Sequence, residues 1–235
     1  MKLPSFIRTL FKQYEMLRFY RKFVGKGDLC FDIGANVGER TAILLTIGAR
    51  VVSVEPQNSC HGILQKRFGH LKNVTLLKLA LGSSEKDAEL KICDETDECS
   101  SLSEEFIESY TKISGFHWRT TEKIKVTTLE NLINRFGTPV FCKIDVEGYE
   151  SEVLKGLKSP VKYIAFEFNR PLIDDTIKCI KELETVGNCY FNLLKYEKMK
   201  LILKDWLSAE EFLGSINQLI PADVLTGEII VRFEK

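Results

Sequence analysis

Three short stretches carry residue types that can do chemistry together. The first is Asp32-Ile33-Gly34-Ala35-Asn36-Val37-Gly38. It follows an apolar run and opens a helical pattern, the place where an open α/β sheet receives its ligand. Glycines there let the main chain pass close to a ligand and take positive φ. Free amides at a helix start can hold a carboxylate or phosphate. The stretch is not the dinucleotide pattern G-x-G-x-x-G. It starts with an acid, and an asparagine sits between two glycines four apart. An acid at a strand end suits a cationic group, such as an amino group or sulfonium, and opposes a pyrophosphate. The spacing therefore argues for S-adenosylmethionine over NAD, and the bland alternative is a tight turn with no ligand.

The second stretch is Glu55-Pro56, at the end of a valine-rich run. Glu55 lies 17 residues beyond Gly38, near the distance at which a strand-end acid accepts the ribose hydroxyls of an adenosine. The third is Lys143-Ile144-Asp145-Val146-Glu147-Gly148-Tyr149-Glu150. Its charges end another apolar run at the same rim as Asp32 and Glu55. Charges so near a core need partners. One reading is an ion pair of Lys143 with Asp145 or Glu147 that ties a loop. The other makes Asp145 a contact of the cofactor's amino group or the base for the acceptor's proton.

These groups need a frame. Apolar runs alternate with helical patterns, which predicts a mostly parallel sheet with helices on both faces. Strands are expected at 28–33, 50–55, 74–79, 88–93, 124–127, 140–145, 161–168, 189–195 and 228–234. Helices are expected at 38–48, 58–68, 128–136, 149–157, 172–186 and 208–219. The last two strands are expected as an antiparallel edge. Residues 94–123 are the least regular: acidic, then Ser-rich, then aromatic. They are expected to pass over the active face, part helix and part loop. Residues 1–27 are expected as an amphipathic helix, and 28–235 as the catalytic domain. Leu3, Phe6, Ile7, Leu10, Tyr14 and Leu17 recur at helical spacing, with Arg8, Lys12, Arg18 and Lys22 on the other face. Such a helix packs on its own core or a second subunit, or lies on an anionic membrane.

Composition narrows the class. The chain has 235 residues, 44% of them hydrophobic, and a formal net charge of zero. That suits one α/β domain and gives no global basic field for nucleic acid. Seven cysteines occur without a C-x-x-C pair, which argues against a zinc or thioredoxin-type site and for a reducing compartment. Cys30 and Cys142 fall in apolar strands as core residues. No stretch approaches a membrane span.

Together the pieces resemble the FkbM family of methyltransferases. The resemblance rests on the Asp32–Gly38 loop, Glu55-Pro56, Ala80-Leu81-Gly82, Ser100-Ser101-Leu102, Val126-Thr127-Thr128-Leu129, Lys143–Gly148 and Glu167. It runs from about 28 to 170. The loop is generic to methyltransferases of this fold, whereas the Lys-Ile-Asp-Val-Glu-Gly-Tyr-Glu segment is more specific. The resemblance implies a Rossmann-like class I methyltransferase fold. Its sheet has seven strands in the order 3-2-1-4-5-7-6, the seventh antiparallel. It implies O-methylation of a hydroxyl, often on a sugar, glycolipid or polyketide-type product. By position, Asp32, Gly34, Asn36 and Gly38, with Ala35 in the same loop, cradle the methionine part of S-adenosylmethionine. Glu55 beside Pro56 holds the ribose, Ala80 and Leu81 pass near the adenine, and Asp145 sits by the methyl group. Glu130 stands where the family usually has aspartate. The chain from about 171 matches no quotable motif, so substrate choice is expected there and in 94–123.

Methyl transfer asks the protein for position and a base. The candidate bases are Asp145, then Glu147 and Glu167. Lys143, His117 and Trp118 are candidate acceptor contacts, with Phe116 able to stack on a sugar ring. No metal is expected, although carboxylates at this rim could bind one. The expected partners are S-adenosylmethionine, with S-adenosylhomocysteine as product, and a small-molecule or glycan acceptor. No nucleic acid is expected. The N-terminal helix could add a peripheral membrane contact or a homodimer seat. The expected location is cytoplasmic. The rivals are a nicotinamide oxidoreductase, which lacks its glycine loop here, and a catalytically inactive cofactor-binding or partner protein. An acceptor of protein or RNA is a third.

Overall fold

The computed structural model describes residues 5–195 and 199–234. In chain order its elements are α1 (Ser5–Tyr20), β1 (Leu29–Ile33), α2 (Glu39–Ile47), β2 (Arg50–Val54), α3 (Asn58–Phe68), β3 (Val74–Leu77), β4 (Ala80–Leu81), β5 (Lys86–Ile92), α4 (Glu104–Ser114), β6 (Thr120–Thr127), α5 (Leu129–Phe136), β7 (Phe141–Ile144), α6 (Glu150–Lys155), β8 (Tyr163–Asn169), α7 (Ile173–Val186), β9 (Cys189–Lys195), β10 (Lys200–Leu201), α8 (Ala209–Gly214), α9 (Ile216–Leu219) and β11 (Thr226–Phe233).

Strands with continuous apolar runs can be covered on both faces only in a sheet sandwiched by helices. β1 and β7 are buried at every position. The main sheet runs β3-β2-β1-β7-β8-β11-β9-β10. The first five are mutually parallel. β11 enters antiparallel between β8 and β9. Without β10 this is the Rossmann-like order 3-2-1-4-5-7-6. The expected seven strands become eight, because Lys200 and Leu201 add a short edge against Lys195 and Leu194. β11 and β9 do pair antiparallel, but β11 lies inside the sheet rather than at its edge.

Two further expectations change. The helix expected at 208–219 is interrupted at Ser215 into α8 and α9. The segment 94–123 is more regular than expected. Ser103 caps α4 by accepting the Phe106 N–H, and β6 starts at Thr120 rather than at 124. β6 pairs with β4 and β5 in a separate three-stranded sheet. Its own small core is Ala80, Leu90, Ile124 and Val126. The Glu130 carboxylate, the departure noted above, accepts the Lys158 and Ser159 N–H groups and so ties down the loop after α6.

α1 does pack on the main domain, but through a face other than the expected one. Met16, Phe19 and Tyr20 are buried with Cys30, Phe141, Ala165 and Ile230 under the sheet. Phe19 and Phe141 each meet Tyr20 edge-on. Ile7 and Tyr14 of the expected stripe are exposed, and Leu17 is half-buried. Leu3 and the side chains of Phe6, Arg8 and Leu10 lie outside the described residues. All seven cysteines are free thiols. Among the described residues no helix is long and apolar enough to cross a membrane.

Candidate active site

Strand register collects the charges. Asp32 on β1 pairs with Ser53 on β2 and Lys143 on β7, so their side chains share one face of the sheet. Asp145 is two residues beyond Lys143. Glu167 is two beyond Ala165, the β8 partner of Lys143, and Glu228 on β11 is the partner of Glu167. Period-two alternation places all of them on that same face. Below them the face is apolar and covered by α1 and α2. Above them it opens into a cleft of about 330 Å³, within the usual size of a ligand pocket.

The wall expected from sequence to hold the cofactor, here the cofactor wall, is built from β1, β2 and the loops that follow them. Gly34 has φ +74°, and a Cβ there would lie 1.7 Å from the Asp145 carbonyl oxygen. Only glycine lets the β1 and β7 loops touch in this way. Asn36 takes φ +47°, which asparagine tolerates better than most side chains. Glu55 accepts the Asn36 N–H at 2.8 Å through Oε2 and the Gln57 N–H at 2.8 Å through Oε1. Burial still pushes its carboxyl up to about 7 against those two donors. Thr41 donates to Asp32 at 2.5 Å and lies 2.6 Å from the Ser53 hydroxyl. Burial raises the proton affinity of Asp32, which is 1% exposed, and the Thr41 bond opposes that.

The opposite wall is crowded with acid. Oxygens of Asp145, Glu147 and Glu167 lie within 4.8 Å of one another. Lys143 is 1% exposed, 3.0 Å from Glu228 and 3.3 Å from Asp145. Arg40 reaches the same Glu228 oxygen at 3.6 Å. Burial, then the charge of Asp145, holds the carboxyls of Glu147 and Glu167 well above the ordinary range. Glu147 has φ +53°, and its carbonyl accepts the Ser101 hydroxyl at 2.6 Å. Three carboxylates facing one cleft favour a proton or a cation between them. A metal ion is therefore compatible with this set, where the sequence led us to expect none.

The structure brings Asp32, Gly34, Ala35, Asn36, Glu55, Pro56, Ala80, Leu81, Asp145, Glu147 and Glu167 to the cleft. It leaves four expected residues off its wall. Gly38 starts α2, where a Cβ would meet the Phe68 ring at 2.5 Å, so its glycine serves packing. Lys143 lies beneath the cleft as an ion-pair partner and does not line it. His117 pairs with Glu95 at 2.9 Å, and Trp118 donates to the Cys99 carbonyl at 2.9 Å. Both fasten the 94–118 segment to itself. No residue after Glu167 lines the cleft among the described residues, although substrate choice was expected beyond 171.

Sequence reading missed four participants. Gln57 and Asp97 join the cofactor wall to the strap before α4, with Gln57 Nε2 2.8 Å from Asp97 Oδ1. Ser101 lies in a motif already quoted for the resemblance. Glu228 had a visible signal: an acid directly before the apolar run Ile229, Ile230 and Val231 of a buried strand.

Residues 32–190 match the family described as Methyltransferase FkbM domain, about two thirds of the chain. Hexuronic acid methyltransferase AglP of Haloferax volcanii is 26% identical over 165 residues, 68% of this chain and 62% of AglP. The chain thus spans under two thirds of that relative's length. Among solved structures, a putative rRNA-methylase from Clostridium thermocellum aligns over 100% of this chain and 99% of its own at 11% identity and TM-score 0.48. An O-methyltransferase from Bacillus cereus in complex with SAH aligns over 99% and 83% at 11% identity and TM-score 0.46.

Proposed function

The chain belongs to the FkbM methyltransferase family, and on that premise we propose that it methylates a hydroxyl oxygen on a sugar. S-adenosylmethionine is the cofactor of this methyltransferase. The observation that carries the finer reading is the group Asp145, Glu147 and Glu167 facing the same cleft as the Gly34 loop. A hydroxyl is a weak acid and needs a base within hydrogen-bond reach. A carboxylate whose proton affinity burial has raised is a better base than an ordinary one. The hexuronic acid methyltransferase relative supports a sugar acceptor.

The residues divide by their partners. The Gly34 loop approaches the methionine part, and Glu55 accepts ribose hydroxyls, for which its two oxygens keep unused lone pairs. Ala80 and Leu81 supply the apolar floor by the adenine. Asp145, kept beside the Lys143 ammonium, faces the cofactor's cationic groups. Glu167, whose carboxyl burial holds well above the ordinary range, is the base we favour over Asp145, the first choice from sequence. When bound, the cofactor supplies an electrophilic methyl carbon and a neutral thioether leaving group. Glu167 would take the proton of the acceptor hydroxyl, leaving that oxygen as the nucleophile toward the methyl group the bound cofactor would supply. An acidic wall favours a neutral hydroxyl over a carboxylate as the attacking group.

Titration calorimetry with S-adenosylmethionine, S-adenosylhomocysteine and NAD comes first, and only the first two are expected to bind. Labelled methyl transfer to neutral sugars and to hexuronates then identifies the atom. An alkali-stable methyl ether supports the reading. A labile methyl ester or an N-methyl product removes it. Cofactor binding with no transfer to any acceptor favours the inactive binding protein.

A further inference from the structure

Helix α1 is amphipathic twice over. Its buried face holds Met16, Phe19 and Tyr20 against the sheet. On the opposite face Ile7, Phe11 and Tyr14 follow at i, i+4 and i+7 and form one stripe. They are 44%, 60% and 60% exposed. No other helix among the described residues presents more than one large apolar side chain to solvent. An apolar stripe that the fold leaves uncovered marks a contact surface.

The charges beside it say what it contacts. Arg18 continues the stripe by one more turn. Arg21 keeps the helical register, its N–H bonded to the Leu17 carbonyl at 3.1 Å, and Lys22 follows. All three are exposed, and none is paired with a carboxylate among the described residues. Residues 1–27 hold seven Lys or Arg and a single acid, Glu15, in a chain whose net charge is zero. The rest of the protein is therefore net acidic, and the excess of positive charge lies in residues 1–27, of which α1 is the helical part. A second copy seated on the stripe would bring like charges together. A lipid surface with anionic headgroups complements both features, because apolar side chains enter the acyl boundary while cations meet the phosphates.

We propose that α1 seats the protein on an anionic membrane through Ile7, Phe11 and Tyr14, with Arg18, Arg21 and Lys22 beside them. The same helix reaches the rim of the cleft. Lys12 lines it and lies 3.8 Å from Glu39. The proposal does not depend on which atom is methylated, and its test uses no turnover.

The full chain is sedimented with vesicles of phosphatidylcholine alone and with an equal mixture of phosphatidylcholine and phosphatidylglycerol. Binding to the mixture and not to phosphatidylcholine is expected, weakening as salt rises. The double variant Phe11→Ser/Tyr14→Ser should lose sedimentation while keeping its affinity for S-adenosylhomocysteine. Arg18→Gln and Lys22→Gln should each weaken vesicle binding about fivefold. Absence of binding to the mixed vesicles overturns the proposal, as does binding that the double variant leaves unchanged. A dimer in light scattering that the double variant abolishes, without vesicle binding, would give the stripe to a second copy instead.

Discussion

The two walls of the cleft are held by opposite means. On the cofactor wall each acid has its donors: two main-chain N–H groups end on Glu55, and Thr41, itself bonded to the Ser53 hydroxyl, donates to Asp32. Those partners come from adjacent strands and the turns between them. On the acceptor wall three carboxylates crowd one another. The restraints there come from far along the chain, Ser101 before α4 and Glu228 on β11. The first wall is preorganised to receive polar groups. The second keeps an unbalanced charge that a proton or a cation relieves, which is what a site for proton removal requires.

Substitutions that act on both walls should have the largest effect. Gly34 is the point of contact, so Gly34→Val forces its side chain into the Asp145 carbonyl from a positive φ. We expect a loss of at least about 3 kcal/mol in thermal unfolding and no measurable cofactor binding. Unchanged melting and binding would mean that the walls are not coupled there. Next comes the acceptor wall alone. Glu167→Gln should lower kcat by about 10²–10⁴-fold, the usual worth of a general base, with S-adenosylhomocysteine affinity nearly unchanged. Near-normal kcat would return the role to Asp145 or Glu147.

The cofactor wall is tested by Glu55→Gln, for which we expect affinity about 10- to 100-fold weaker, the loss of charge-assisted hydrogen bonds. Its pH dependence gives a sharper check. The Glu55 carboxyl is pushed up to about 7 by burial. Ribose hydroxyls donate to the ionised form, so affinity should fall as pH drops through about 7. Stability without cofactor runs the other way. A folded-state value raised above the unfolded one gives stability that is complete below about 4.5 and is lost as pH rises through about 7. Glu150, also pushed up to about 7 by burial, adds to that loss. Calorimetry and melting curves across this range should therefore slope oppositely, and Glu55→Gln should flatten the binding curve.

The same contrast explains how far the sequence could be read. The cofactor wall is local: Asp32, Gly34, Asn36 and Glu55 fall in two strand-to-turn junctions, so strand pattern and glycine spacing suffice to bring them together. The alternation of apolar runs and helices predicts a mostly parallel sheet covered on both faces, whereas the strand order is what the family resemblance implies. The acceptor wall depends on tertiary pairing. Glu228 meets Lys143 only because β11 enters between β8 and β9, and no local pattern states that. Lys143 looks like a rim charge in sequence, yet register puts it under the site. His117 and Trp118 look available, yet Glu95 engages His117 Nδ1 and the Cys99 carbonyl accepts the Trp118 indole N–H. The segment 94–123 carried its own signals, a Ser103 cap and alternation from Thr120 to Thr127, masked by its polar composition.

The smallest effect belongs to the strap that links the walls. Asp97 accepts from Gln57 at 2.8 Å and from Ser59 at 3.3 Å through Oδ1, and its carbonyl accepts from Asn36 at 3.0 Å. Asp97→Ala removes the two side-chain contacts and leaves the main-chain one. Partly exposed hydrogen bonds are worth about 1 kcal/mol or less each, so affinity for S-adenosylhomocysteine should fall only about fivefold. Amide exchange should quicken across 94–103, while melting stays nearly constant because no core side chain moves. If exchange and affinity both stay at their original values, the main-chain bond to Asn36 alone holds the strap. The walls would then be joined where Gly34 meets Asp145 and, through the strap, by the Asn36–Asp97 and Ser101–Glu147 bonds.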